Sequence, residues 1–223
     1  MRFLRDNSLS IVFLIIFLAS LAGQAVVGHG LFNHDQLLHG GDPISLGRYL
    51  TSSEFSADVA ENWQSEYLQF SLYILGTIWL LQRGSPESKK LDEAGLESDE
   101  AQKVGAYADQ RSPLWARVGG LRTAIYSHSL LLVMFSLWIG SWLAQSIAGW
   151  SAYNADQLDH QAATVSWLQY LGTNDFWDRT LQNWQSEFLA VGSMAILTVY
   201  LRQRGSPESK PVGTPHDATG VEG

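Results

Sequence analysis

The chain has 223 residues, a net charge of −8 and no cysteine. The lack of cysteine excludes disulfide bonds and thiolate chemistry, whereas length and net charge alone are compatible with one medium-sized soluble domain. The class of the protein therefore has to be decided by how the apolar residues are distributed along the chain.

The first apolar segment, residues 9–28, is interrupted only by small residues and Gln24. It is long enough to cross a hydrocarbon core of roughly 30 Å as a helix. Arg2 and Arg5 precede it and small residues occupy positions 19–25, a pattern that also resembles a signal peptide. The choice between a retained anchor and a cleaved signal depends on the second half of the chain.

A polar segment follows, and Gly40, Gly41 and Pro43 predict that the helix breaks there. The apolar stretch 44–50 is amphipathic and is expected to lie at a membrane surface. Ser52 or Ser53 is then a suitable N-cap, and Glu54 suits the first turn of a long helix over residues 54–83.

This long helix contains the second apolar stretch, residues 67–81, which at roughly 22 Å is too short to span alone. It must therefore recruit its polar flank 62–66, Asn-Trp-Gln-Ser-Glu. Gly84 and Pro86 predict that the helix is capped at the start of the motif 83–89, Arg-Gly-Ser-Pro-Glu-Ser-Lys. The acidic segment 91–110 reads as a flexible linker and argues against a nucleic-acid surface.

The second half repeats this order at an offset of 121 residues. Without a gap, residues 8–89 align with 129–210, and 31 of 82 positions are identical, including both polar motifs. We interpret this as a tandem duplication. The counterpart of the first apolar segment lies at mid-chain, residues 130–148, so the first segment is interpreted as a retained anchor.

The second copy differs at residues 161–164, Gln-Ala-Ala-Thr, which could continue a helix instead of breaking it. An amphipathic stretch at 165–171 and a long helix over 175–204 follow, with Thr173 or Asn174 as N-cap and Asp175 in the first turn. The tail 211–223, like the linker, is expected to be disordered.

These elements predict an all-α integral membrane protein of four transmembrane helices, built from two parallel copies of a two-helix hairpin. The expected regions are a first repeat at 1–89, an acidic cytoplasmic linker at 90–121, a second repeat at 122–210 and a disordered tail at 211–223. Lys and Arg cluster before the first and third spans and after the second and fourth, which places both termini in the cytoplasm. Because each half has two spans, both halves share one orientation.

Polar side chains repeated between the spans form the candidate site. They are Gln24, Asn33, Asp35, Gln36, His39, Asn62, Gln64 and Glu66 in the first half, and Gln145, Asn154, Asp156, Gln157, His160, Asn183, Gln185 and Glu187 in the second. His29, His34 and His128 have no histidine at the equivalent position, which favours ordinary surface or interface roles.

Two chemical interpretations of this site remain open beside a purely structural one. Glu66 and Glu187 would lie about one turn inside the membrane, where a carboxylate is expected to face the bundle interior, be neutral or bind a cation. Asp35 and His39, like Asp156 and His160, have the i, i+4 spacing of ligands for a divalent metal cofactor such as Zn, Mn or Fe. In the structural interpretation, the polar residues hydrogen-bond neighbouring helices to one another.

The segment 149–154, Gly-Trp-Ser-Ala-Tyr-Asn, together with the two repeated motifs, resembles an uncharacterised bacterial membrane-protein family, a domain of unknown function. The first half departs from it, because Gly28-His29-Gly30-Leu31-Phe32-Asn33 lacks the Trp and Tyr. The resemblance implies a multi-pass protein of the bacterial inner membrane and supplies no reaction or catalytic residue.

The function expected from the sequence is a structural or partner-binding membrane component rather than an enzyme. Its partners would be the lipid bilayer and either a second copy of this chain or another membrane protein, with no nucleic acid. The alternatives are an ion or proton transporter or channel subunit using Glu66 and Glu187, and a metal-dependent membrane enzyme using the two Asp–His pairs.

Overall fold

A computed structural model describes residues 2–222, and every statement of absence below refers to that range. The described chain is helical and contains no β-strand. The helices are α1 (Arg2–Asp6), α2 (Ser8–Leu38), α3 (Leu46–Leu50), α4 (Ser53–Gly76), α5 (Leu114–Arg117), α6 (Gly120–Ser127), α7 (Ser129–Asp159), α8 (Trp167–Tyr170) and α9 (Asn174–Tyr200), with a short 3-10 helix at Gly105–Tyr107. The all-α prediction is confirmed.

The helices α2 and α7 are long and apolar enough to cross a membrane. Only 6% of the most apolar window of α2 and 11% of that of α7 is buried within the protein. The core helix of a soluble protein would bury most of this surface, so the low burial fits a membrane span better than a soluble core.

The ends of α2 and α7 share one geometry, although their sequences differ. Gly41 N donates to Gln36 O and Ala162 N donates to Gln157 O, both at 2.7 Å, which is the long hydrogen bond of a Schellman motif. The expectation that residues 161–164 continue the helix is therefore wrong. Gln161 takes the left-handed conformation, with φ of 57°, that Gly40 takes in the first copy with φ of 78°.

The short helices and the starts of the long ones are capped by hydroxyl groups. Ser45 Oγ accepts from Arg48 N at the start of α3, and Ser166 forms a reciprocal capping box with Gln169 at the start of α8. Ser52 Oγ accepts from Phe55 N at 3.2 Å, which confirms Ser52 as the cap of α4, and Thr173 Oγ1 accepts from Phe176 N at 3.3 Å before α9.

The helices α4 and α9 end earlier than predicted, at Gly76 and Tyr200 instead of residues 83 and 204. In the first copy, Thr77 Oγ1 donates to Tyr73 O at 2.9 Å, a side-chain bond that competes with continuation of the helix. Gly84 and Gly205 have φ of 85° and 83°, so they do adopt the left-handed conformation. They lie in loops beyond the helices, however, and the prediction that they cap α4 and α9 is wrong.

The described residues form two compact units. The first comprises residues up to Ala60 together with Ala144–Phe176, and the second comprises Glu61–Leu143 together with the chain from Trp177 onward. In the first unit the buried aromatic residues are Tyr49, Tyr170 and Phe176. In the second unit Gln64, Leu68, Val199 and Lys210 are buried.

Candidate functional site

The repeated asparagines bind backbone groups of their own half of the chain. Asn33 Oδ1 accepts from Ile44 N at 2.8 Å, and its Nδ2 donates to Ile44 O at 3.0 Å. Asn154 makes the same two bonds to Val165, each at 2.9 Å. Each amide therefore satisfies both main-chain groups of a residue that lies outside regular structure, which fixes the return of the chain after α2 or α7.

His29 and Trp150, which occupy equivalent positions, reinforce these amide contacts. His29 Nε2 donates to Ile44 O at 2.6 Å, and Trp150 Nε1 donates to Val165 O at 2.7 Å. His29 has no histidine counterpart, but the tryptophan at the equivalent position makes the same kind of structural contact. Two different aromatic rings supply an N–H group to the same main-chain acceptor in the two halves.

A buried tyrosine packs against each long helix at a glycine. Tyr49 and Tyr170 are 2% and 1% exposed. A Cβ added at Gly28 would lie 2.4 Å from the Tyr49 hydroxyl, and one at Gly149 would lie 2.5 Å from the Tyr170 hydroxyl. Tyr170 OH donates to Asp175 Oδ2 at 2.9 Å. Glycine is thus required at both positions for the tyrosine to approach the helix.

Aromatic neighbours complete this arrangement in both halves. The Tyr49 ring lies 5.6 Å from Phe32 and 5.3 Å from Phe55, centroid to centroid. In the second half, Tyr170 lies 5.5 Å from Tyr153 and 5.6 Å from Phe176. Burial, followed by the charges of Asp58 and Glu54, raises the pKa of Tyr49 above its usual range, so this phenol stays neutral.

The two Asp–His pairs are brought together at the surface of the first unit. The His39 and His160 rings lie 6.2 Å apart, and each Nδ1 lies close to the carboxylate four residues earlier, at 3.5 Å for Asp35 and 3.4 Å for Asp156. A hydrogen bond to the Asp156 carbonyl, followed by the Asp156 charge, raises the pKa of His160. Within residues 2–222, no group of three or more His, Asp or Glu side chains is arranged to hold a metal ion.

The two copies of Asn-Trp-Gln-Ser-Glu have different environments. Gln64 is fully buried and its Oε1 accepts from Trp184 Nε1 at 2.9 Å, whereas Gln185 is exposed. Glu66 is exposed and Glu187 is half-buried. The buried face of this part of α4 presents Gln64 and its neighbouring serine, so the position of Glu66 in the bundle stays a prediction.

The other predicted site residues divide between structural contacts and exposed positions. Gln145 is fully buried and Gln24 half-buried, as are Gln36 and Gln157. Asn183 Nδ2 donates to Arg179 O at 3.0 Å within α9, and Asn62 is exposed. The structure therefore brings together the Asp–His pairs but gathers no single site from all the predicted residues.

The repeated Arg-Gly-Ser-Pro-Glu-Ser-Lys motifs form loops of the same construction. Ser88 Oγ accepts from Gln82 N, and Ser209 Oγ accepts from Gln203 N, both at 2.9 Å. The hydroxyl thus takes the place of a helix carbonyl as the acceptor for that N–H group. This local closure explains why the motifs are loops instead of helix caps.

The lysine that ends each motif holds the segment that follows it. Lys89 Nζ donates to Gly95 O and forms an ion pair with Glu97, both at 2.9 Å. Lys210 Nζ is buried and donates to the carbonyl groups of three tail residues, Pro215, His216 and Ala218. Burial, and then the nearby Arg202 charge, lowers the pKa of Lys210.

These contacts identify structural residues that the sequence interpretation did not select. Tyr49, Gly28 and their counterparts 121 residues later recur at the offset already established, so the recurrence itself was the available signal. The loop glutamates Glu87 and Glu208 are a further pair of this kind.

Among known proteins, no curated protein and no solved structure matches the chain. A protein-family model matches residues 1–221, and its description is "Domain of unknown function (DUF6766)". The match covers nearly the whole sequence, so this protein belongs to that family.

Proposed function

We propose that this protein is a structural or partner-binding component of the bacterial inner membrane, with four transmembrane helices arranged as two parallel hairpin repeats. The observation that carries the proposal is the uncovered apolar surface of α2 and α7, of which 6% and 11% is buried in the most apolar windows. Lipid and a protein partner are the environments that remove such a surface from water.

The helices α4 and α9 are the other two spans of this proposal. They contain 24 and 27 residues, or about 36 and 40 Å of helix at 1.5 Å per residue, which is sufficient to cross a core of roughly 30 Å. Their more polar first halves lie toward the outer surface, and the loops at Gly84 and Gly205 lie in the cytoplasm with both termini.

The contacts that the repeated polar groups make favour a structural role over a catalytic one. Asn33 and Asn154 bind main-chain groups with both amide atoms, and the buried tyrosines are fixed against glycines in both halves. The same contacts at positions 121 residues apart also support the tandem duplication. Glu66 is exposed, and its position therefore does not favour a transport path through Glu66 and Glu187.

The membrane arrangement is tested by fractionation and by reporters. We expect the protein to remain in the membrane fraction after an alkaline carbonate wash. Reporters inserted after Lys90 and at the C-terminus should be cytoplasmic, and reporters within 40–42 and 161–163 should be periplasmic. Release as soluble protein, or the opposite reporter pattern, would contradict the proposal.

The structural role is tested by separating assembly from ion movement. The double variant Glu66→Gln with Glu187→Gln should retain the native oligomeric mass in lipid nanodiscs, measured by light scattering, and should not change the proton permeability of reconstituted liposomes. A proton flux that wild-type protein supports and the double variant abolishes would instead establish the transport alternative.

A further inference from the structure

A pair of glutamates from the two repeated loops meets at the end of α4. Glu87 and Glu208 occupy the same position in the two copies of the motif, and both line one cavity beside α4. Tyr73 OH, on α4, donates to Glu87. Two carboxylates this close repel each other, so a positive charge beside them is favoured.

No basic side chain neutralises this pair within the described residues. No Lys, Arg or His lies within ion-pair distance of either carboxyl group. The neighbouring lysines are committed elsewhere, Lys89 to Glu97 and Lys210 to tail carbonyl groups. The remaining charged group that acts on Glu208 is Glu222, which adds negative charge.

Two cavities with mostly apolar walls lie at this pair; Glu87 lines both of them and Glu208 lines the smaller one. A cavity of about 380 Å³ is lined by Glu87 and Tyr73 together with apolar residues that include Leu72, Leu80 and Phe188. A second cavity, of about 260 Å³, is lined by Glu87, Tyr73 and Glu208 together with Phe70, Ala190 and Met194. The larger volume is within the range of small-molecule sites in proteins, roughly 300–1,000 Å³.

We propose that the larger cavity binds an amphipathic organic cation, with its apolar body between α4 and α9 and its charge on Glu87, the member of the Glu87–Glu208 pair that lines this cavity. An amine or quaternary ammonium group supplies the charge that the pair lacks, and the apolar lining removes the rest of the molecule from water. The Tyr73 ring borders the same space and can contribute a cation–π contact.

Binding of a cation at this position is coupled to proton release. The interaction with Glu87 raises the pKa of Glu208, so Glu208 holds its proton at a higher pH than a free glutamate does. A bound cation stabilises both carboxylates and displaces this proton. Affinity for the cation should therefore fall as the pH is lowered and the pair becomes protonated.

The test uses the full-length protein in lipid nanodiscs and two probes of nearly equal shape, 4-phenylbutylammonium and neutral 4-phenylbutanol. Isothermal titration at pH 8 should show saturable binding of the ammonium probe, at least tenfold tighter than that of the alcohol. Glu87→Gln with Glu208→Gln should remove this tenfold preference. The matched control Glu93→Gln, at an exposed glutamate that pairs with Lys90, should retain it.

A second variant separates loss of the site from loss of the fold. Val191→Trp fills the cavity and leaves both glutamates in place, and it should abolish binding of the ammonium probe without changing the helix content measured by circular dichroism. Equal affinity for the two probes, undiminished affinity in the double glutamine variant, or occupation of the cavity by a phospholipid that the ammonium probe does not displace would overturn the proposal. None of these outcomes depends on the oligomeric mass or the membrane topology.

Discussion

Replacing Gly149 by alanine tests the close packing of Tyr170 on α7. The added Cβ would lie 2.5 Å from the tyrosine hydroxyl and 3.3 Å from Cζ, so the side chain has to move by about 1 Å to restore ordinary contact. Tyr170 is 1% exposed, and its ring is held by Tyr153 and Phe176, which leaves little room for this movement.

The expected cost follows from three contributions. Overpacking at a buried site costs about 1–3 kcal/mol, and weakening of the bond from Tyr170 OH to the Asp175 carboxylate costs about 1.5–3 kcal/mol. Alanine regains about 1 kcal/mol over glycine in a helix. Gly149→Ala should therefore lower the free energy of unfolding by about 1.5–5 kcal/mol, measured by denaturant titration of the purified protein with tryptophan fluorescence as the readout.

Two further variants make this prediction specific. Gly140→Ala is the matched control on the same helix, because no described atom lies within 4 Å of its added Cβ, and it should not destabilise the protein. In the double variant Gly149→Ala with Tyr170→Phe the clashing hydroxyl is absent, so the double variant should be no less stable than Tyr170→Phe alone. If Gly149→Ala were as stable as Gly140→Ala, the reasoning about this contact would be refuted.

Three other predictions concern the loops. Asn154→Ala removes both amide bonds to Val165 and should lower the free energy of unfolding by about 1–3 kcal/mol, measured by denaturant titration. Lys210→Met removes the bonds that hold the tail and should make the tail at least tenfold more sensitive to limited proteolysis. Glu97 has its pKa lowered by hydrogen bonds from Lys89 and Gln102; its contribution is therefore present above its unfolded-state pKa and is lost as the pH falls through the lower folded-state value. The protection of amides in 89–97 against hydrogen exchange, relative to the intrinsic exchange rate at each pH, should fall over that acidic window.

Each of these predictions has a control in the chain. His34→Ala, at an exposed position, should leave stability unchanged where Asn154→Ala lowers it. Lys90→Met, at a lysine whose ion pair is exposed, should leave the tail as resistant to protease as in the wild-type protein. For the pH effect, Glu97→Gln should show low protection against hydrogen exchange in residues 89–97 at every pH. If this protection in the wild-type protein were the same at neutral and acidic pH, the role assigned to Glu97 would be contradicted.

The positions of α2 and α7 could be predicted from the sequence because long apolar runs form helices irrespective of their tertiary partners. The ends of α4 and α9 could not be predicted in the same way. The residues after Gly76 are as apolar as those before it, and beyond the helix the hydroxyl of Ser88 accepts from the N–H group of Gln82. Such a closure depends on how the chain folds back, which periodicity does not contain.

The candidate site is likewise predictable from the sequence only in part. The recurrence of Asn33 and Asn154 marked both residues as important, but an amide that binds a ligand and one that binds a backbone look alike in a sequence. The distinction depends on where Ile44 and Val165 return, and that is visible only in the structure. The two Asp–His pairs share a spacing, which the sequence shows, but the sequence does not show that they lie close together. The structure places their rings 6.2 Å apart in the first unit.

Lys89 and Lys210 each bind the segment that follows their loop, and these two segments have unrelated sequences. After Lys89 comes an acidic passage, and after Lys210 comes a short one rich in proline and glycine. Carbonyl oxygens carry no information about side-chain identity, so the lysine–carbonyl contacts tolerate many different following sequences, and only the ion pair of Lys89 with Glu97 depends on a particular side chain. The sequence after each lysine can therefore diverge while the lysine keeps its contacts. A different segment could follow either loop without a change in the preceding hairpin.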